Sequence, residues 1–113
     1  MLRQENRIVK NKDFDRAFRL GQSFYGKILG IKATDNGLAI NRLGILVSTK
    51  ISKKAPVRNR FKRQIREIIR QEMILLRPGK DIVIIVFPLI LNKDFQEIQT
   101  SIRRGLERLR LYK

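Results

Sequence analysis

Between residues 50 and 70 the chain carries nine basic side chains and a single acidic one, Glu67. The basic groups are Lys50, Lys53, Lys54, Arg58, Arg60, Lys62, Arg63, Arg66 and Arg70. At about 100° per residue, Arg58, Lys62 and Arg66 form a ridge at i, i+4 and i+8 of a helix, extended by Arg63 and Arg70 with Asn59 between them. Like charges at that spacing repel by roughly a few tenths of a kcal/mol per pair, and a helix face that merely meets water usually mixes its signs. A ridge of one sign makes better sense when phosphates neutralise it. Arginine suits that task, because its planar fork can grip phosphate oxygens two at a time.

Other chemistry is scarce. The chain has no Cys and no His, which excludes a disulfide, a zinc finger, a thiolate nucleophile and an imidazole base. The aspartates Asp13, Asp15, Asp35, Asp81 and Asp94 show no clustered metal-ligating motif. The whole chain repeats the message of residues 50–70: 26 Lys and Arg against 10 Asp and Glu give a formal charge of +16. A field of that sign attracts polyanions, nucleic acid first and an anionic membrane surface second. Nucleic acid is preferred because the helix that carries the charge needs its apolar side for the core.

The elements that must position these groups can be read from periodicity. Val57, Phe61, Ile65, Ile68 and Ile69 form an apolar stripe on a helix from Ala55 to Leu76, with Pro56 in its first turn and Pro78-Gly79 at its end. The basic ridge is expected on the other side of that helix. A first short helix has Asn11 as N-cap and Asp13 in its first turn, places Phe14, Ala17 and Phe18 on one face, and stops at Gly21. Phe24 to Ala33 is strand-like, with Leu29, Ile31 and Ala33 on one face and Gly30 and Lys32 on the other. After the turn Asp35-Asn36-Gly37, Leu43, Ile45 and Val47 define another strand, expected to pair antiparallel with the previous one. Ile82 to Phe87 is apolar on both faces, as an interior strand would be. A last helix, N-capped by Asn92, carries Phe95, Ile98, Ile102, Leu106 and Leu109 toward the core.

The order of elements implies an α/β sandwich: one sheet with helices packed on it. With 113 residues, 42% of them hydrophobic, the chain suits a single compact domain spanning 1–113. The N-terminal residues lack a signal-peptide apolar region, and the longest apolar run, Ile82 to Leu91, is interrupted by Pro88 and shorter than the roughly 20 residues of a membrane span. The expected location is the cytoplasm.

The segment Val57-Arg58-Asn59-Arg60-Phe61-Lys62-Arg63-Gln64-Ile65-Arg66-Glu67 resembles the signature of the bacterial ribonuclease P protein family, an Arg-Asn-Arg followed by Lys-Arg and Arg-Glu. Further features fit in order: Arg7-Ile8 with Asp13-Phe14 and Phe18; Arg42-Leu43-Gly44-Ile45 with Val47-Ser48 and Lys50; Gly79-Lys80-Asp81-Ile82-Val83 with Pro88; and the final amphipathic helix. The resemblance covers nearly the whole chain. It implies a ribosomal S5 domain 2-like fold, a single mixed sheet of about four strands with three helices and a left-handed β-α-β crossover, against the general preference for right-handed connections.

The resemblance also implies a division of labour. A catalytic RNA holds the Mg²⁺ ions and cleaves, while the protein assists removal of the 5′ leader from precursor tRNA. Arg58, Asn59, Arg60, Lys62, Arg63 and Arg66, with Lys53 and Lys54, would dock on the ribonuclease P RNA. A cleft between the first helix and the sheet would take the single-stranded leader, with Phe14, Phe18, Ser48 and Lys50 as its residues. Aromatic faces plus positive charge are what an unpaired strand requires; from the sequence alone, core packing of Phe14 and Phe18 is the competing reading. Small-molecule substrates, DNA and membranes are not expected partners. The chain departs from the family pattern at Ile31, Thr49, Pro56 and Phe87. A non-enzymatic protein that binds structured or ribosomal RNA would use the same basic helix. A DNA major-groove reader lacks support, because no short helix-turn-helix turn precedes Ala55.

Overall fold

The computed structural model describes residues 2–113. Its elements run α1 (Asn11–Leu20), β1 (Gln22–Tyr25), β2 (Leu29–Asp35), β3 (Arg42–Leu46), α2 (Ala55–Glu72), β4 (Lys80–Val86) and α3 (Phe95–Arg108), with 3-10 turns at Gln4–Asn6, Met73–Leu75 and Pro88–Asn92. The four strands form one mixed sheet in the order β1-β2-β4-β3. This is the expected architecture of three helices on a single mixed sheet.

One pairing differs from the sequence reading. β2 and β3 do not pair with each other; β4 lies between them, antiparallel to β2 and parallel to β3. The cause is the composition of β4. Its residues from Asp81 to Ile84 are all buried, so the strand needs neighbours on both edges and cover on both faces. The 18-residue helix α2 supplies the crossover that parallel neighbours require. The stretch from Phe24 to Ala33 is likewise two strands, since the Gly26 N–H donates to the Leu29 carbonyl at 2.9 Å and closes a hairpin.

Each face of the sheet has its own apolar layer. One face, with Ile31, Ile82, Ile84 and Leu43, packs against Phe61, Ile65, Ile68 and Ile69 of α2 and Ile98, Ile102 and Leu106 of α3. α3 comes so close that a Cβ on Gly105 would lie 2.5 Å from the Ile31 Cδ1. The opposite face is covered by α1 and the N-terminal segment through the smaller cluster of Ile8, Ala17 and Val83, with Phe14 and Ile85 against it. The edge of β3 is covered too: Arg7 bridges Leu43, and the Ile8 N–H donates to the Leu43 carbonyl at 2.9 Å.

Helix ends shift by one to four residues from the sequence reading. Lys10, not Asn11, is the N-cap of α1. Asp94, not Asn92, caps α3: its side chain accepts the Glu97 N–H while the Glu97 side chain accepts the Asp94 N–H, a reciprocal capping box. α2 ends at Glu72, and the following 3-10 turn takes up residues 73–75. Gly21 does follow α1, for a steric reason: its φ is −74°, and a Cβ there would stand 2.4 Å from the Ala17 carbonyl oxygen.

Candidate nucleic-acid interface

α2 is held by the burial of Phe61, Ile65, Ile68 and Ile69, which fixes its rotation about its axis. Its start is electrostatically one-sided. No acidic residue occupies the first turn, although the positive end of the helix dipole favours one there; Lys53, Lys54 and Arg58 surround it instead. Arg58 donates from Nη1 to the Ser52 carbonyl at 2.8 Å, so one part of its fork is already engaged. Arg58, Lys62 and Arg66 are half-buried. Their ridge lies along the shoulder of the buried stripe and not opposite it, because steps of four residues advance about 40° around the helix. Asn59, Arg60 and Arg63 stand outermost and exposed. The Arg60 guanidinium lies 5.0 Å from the Phe61 ring centroid.

Among the described residues, no carboxylate pairs with Lys53, Lys54, Arg58, Arg60, Lys62, Arg63 or Arg66. Arg70 is different: it donates to Glu67 at 2.7 Å and 3.1 Å. Arg70 first, over the opposing effect of burial, holds the Glu67 carboxyl below its ordinary range. The unpaired ridge therefore ends one turn earlier than the sequence suggested.

The second basic and aromatic surface is on the α1 face of the sheet. Gly44, Val83, Lys32 and Ser23 are in register across the four strands, and α1 lies over this row. Phe14 sits on Gly44, where a Cβ would come 2.4 Å from the ring Cε1; Ala17 packs on Val83; Phe18 reaches Lys32, whose Nζ is 5.8 Å from the ring centroid. In the next row on the same face, Leu46, Ile85, Gly30 and Tyr25, Leu46 and Tyr25 are exposed, Ile85 is half-buried and Gly30 is buried. Tyr25 and Phe87 flank Gly30, each with a ring carbon 3.2 Å from where its Cβ would be. The result is a cleft with α1 as its wall and an apolar and aromatic floor.

The four residues predicted for this cleft have unequal positions. Phe14 is half-buried and shares a pocket of about 120 Å³ with Arg66 of α2, against Leu43, Gly44 and Ile45. Phe18 is 39% exposed, so core packing does not account for it. Ser48 and Lys50 stand exposed in the turn after β3, where the Ser48 Oγ accepts the Lys50 backbone N–H at 3.2 Å and leaves the lysine ammonium free.

Sequence reasoning missed Tyr25 and Lys32. Lys32 Nζ is 5.5 Å from the Tyr25 centroid and donates to the Ser23 hydroxyl at 2.9 Å. Lys32 is the leading cause that lowers the Tyr25 phenol from its ordinary value, with Ser23 second. The ammonium thus lies between two exposed rings. Its signal was the alternation that put Gly30 and Lys32 on one face; placing Tyr25 there also required the hairpin register.

α1 is fastened to the sheet by charge. Arg42 grips Asp81, and Arg16 bridges Asp81 at 3.3 Å and Asp13 at 3.1 Å. These two buried carboxylates are the ones the fold brings together, and both are occupied by guanidinium groups. They do not fit a divalent cation.

A single-layer mixed sheet, a helix face of unpaired arginines and an adjoining cleft of aromatic rings and lysines together define an RNA-binding protein. A family model described as Ribonuclease P matches residues 2–110. Ribonuclease P protein components of a Pseudanabaena species and of Clostridium botulinum are 35% and 36% identical, covering 98% and 96% of this chain and 97% and 98% of theirs. The solved RNase P protein of Staphylococcus aureus superposes with a TM-score of 0.88 at 30% identity, covering 96% of this chain and 98% of that one. That of Thermotoga maritima gives 0.81 at 31% identity, covering 90% and 96%. The chain belongs to the ribonuclease P protein family, as a protein component of that RNA-processing ribonuclease.

Proposed function

We propose that this chain docks α2 on the ribonuclease P RNA and lays the single-stranded 5′ leader of precursor tRNA across the open face of its sheet. Arg60 and Arg63, with Asn59, Lys53 and Lys54, are the outward groups that meet the RNA; Arg58, Lys62 and Arg66 flank them. Phe18, Tyr25 and Lys32 receive leader bases and phosphates at one end of the cleft, and Ser48 and Lys50 do so at the other.

The observation that carries this reading is the pocket shared by Phe14 and Arg66. It is lined from α1 and from α2 at the β3 edge, with Arg7 of the N-terminal segment between them, so the helix that docks on the RNA and the cleft for the leader are neighbours on the molecule. Stacking on aromatic rings beside cations suits an unpaired strand of any sequence, as a component that processes many precursors requires.

The hydrolysis, and the Mg²⁺ that goes with it, we assign to the RNA. This chain offers no imidazole or thiol, and its buried aspartates are taken by arginines. Its contribution is positional, holding the leader so that the scissile phosphate stays where the RNA acts.

The test is reconstitution with the matching RNA at low salt and low Mg²⁺, comparing cleavage of precursor with and without protein, and binding of precursor against mature tRNA. Faster cleavage and a preference for precursor are expected, with the preference reduced by Phe18→Ala and Lys32→Ala. Equal affinity for precursor and mature tRNA would leave the alternative of a non-enzymatic structured-RNA binder.

A further inference from the structure

The cleft does not end at Tyr25. β1 is an edge strand, and its other side is unpaired. Tyr25, 64% exposed, borders a second groove of about 920 Å³, which runs between the β1–β2 hairpin turn and α3. Lys27 stands on the hairpin side of this groove; Thr100, Arg104 and Arg108 line the α3 side. The last three recur every four residues and so form one ridge, directed away from the buried Ile98, Ile102 and Leu106. Arg108 also lines the neighbouring hollow that contains Lys80 and Arg110, so the basic surface continues along the β1 edge.

The charge balance of the groove points to an anion. Among the described residues, Lys27, Lys93, Arg104 and Arg108 enter no ion pair. Two carboxylates, Asp94 and Glu97, also line the groove, but only at the N-terminal end of α3, where each is bonded to a backbone N–H of the capping box; Lys27, Arg104 and Arg108 outnumber them toward the other end. The surface is separate from the α2 ridge, since α3 meets the sheet at β1 and β2 while α2 crosses over between β3 and β4.

We infer that this groove is a second RNA-strand site, which takes the part of a long 5′ leader that extends beyond the cleft. The strand leaves the sheet face over the exposed Tyr25 ring, turns at Lys27 and sets its phosphates against Arg104 and Arg108. Tyr25 is the common wall of both sites and gives the turning nucleotide a face to stack on. The site recognises phosphate and strand flexibility, not base identity. It makes affinity depend on leader length, because only a long leader reaches the two arginines. This inference rests on the cleft reading proposed above.

The experiment uses the holoenzyme reconstituted with its RNA and precursors of one tRNA bearing leaders of about four or about sixteen nucleotides, the range one single-strand-binding domain spans. With the double substitution R104A/R108A, the log–log salt slope for the long leader should fall by about 0.7 per arginine, with weaker binding, while the short leader binds as before. Lys27→Glu, on the other wall, should give the same selective loss. An equal loss on both leaders would mean that the groove binds the RNA subunit, and no loss on either would mean that it binds nothing; each result overturns the inference while leaving the cleft reading intact. Failure of the cleft reading has a different signature: the wild-type complex would not distinguish the short-leader precursor from mature tRNA, and the groove inference would fall with it.

Discussion

Arg42 and Asp81 are joined by two parallel hydrogen bonds, Nε to Oδ1 at 2.8 Å and Nη2 to Oδ2 at 2.7 Å, across the first residues of β3 and β4. Asp81 is fully buried, and Asn36 adds a third bond at 3.0 Å. Removing Arg42 leaves this buried carboxylate only Asn36 and the longer contact with Arg16 at 3.3 Å. Arg42→Ala should therefore cost about 3 kcal/mol of folding stability, the low end for breaking a buried pair because Arg16 still offsets part of the charge, measurable by denaturant titration. A loss no larger than that of an exposed substitution such as Arg104→Ala would show that the clamp is not needed.

The same carboxylate makes stability sensitive to acid. Burial alone would raise the Asp81 pKa, but Arg42, then Asn36 and Arg16, outweigh it and hold the group below its ordinary value. A carboxyl depressed in the folded state stabilises above its unfolded pKa, about 3.9, and this contribution is lost as pH falls through the lower folded value. Thermal melts of the wild type should show this loss below about pH 4. Asp81→Asn should be less stable at neutral pH and show a smaller acid-dependent drop.

Gly44→Ala tests the seat of Phe14. The new methyl would fall 2.4 Å from the ring Cε1, so the ring must move. Overpacking of this kind costs about 1–3 kcal/mol. The affinity of the holoenzyme for precursor should drop while affinity for the RNA subunit is retained, as read by filter binding of each; an undisturbed precursor affinity would separate Phe14 from leader binding.

On α2, Arg60→Ala and Arg63→Ala should each flatten the salt dependence of binding to the ribonuclease P RNA. The log–log slope should fall by slightly less than one for each phosphate no longer neutralised. Arg70→Ala should do less, because Arg70 is committed to Glu67. If Arg70→Ala changed the slope as much as Arg63→Ala, the pairing with Glu67 would not persist in the complex.

Asp94→Ala removes the capping box of α3. A loss of about 1 kcal/mol is expected, visible as a lowered midpoint in urea. Glu97→Gln, which keeps the acceptor, should lose less.

What was legible in the sequence followed from periodicity. Of the α2 stripe, Phe61, Ile65, Ile68 and Ile69 are buried as read and Val57, in the first turn, is half-buried, because a 3.6-residue repeat admits one apolar side. The two-sided apolar run of β4 was correctly read as interior. Its consequence was not, since interior means that another strand must lie on each side, and that separates β2 from β3. The Asp94–Glu97 box was written in the sequence as an acid three residues before an acid, but Asn92 offered an earlier cap, and only the 3-10 turn at Pro88–Asn92 removes it. Of the cleft, Phe14 and Phe18 could be named, while Tyr25 and Lys32 depend on a hairpin register that local patterns do not fix.

The central position of β4 also has a temporal meaning. It is one of the sheet's two inner strands, and Lys80–Val86 is made after α1, β1, β2, β3 and α2. On the ribosome, β2 and β3 must wait with bare inner edges until that strand emerges, and pairings so distant along the chain form slowly. Until then the nascent protein exposes apolar faces and unpaired strand edges together, the combination most prone to aggregation.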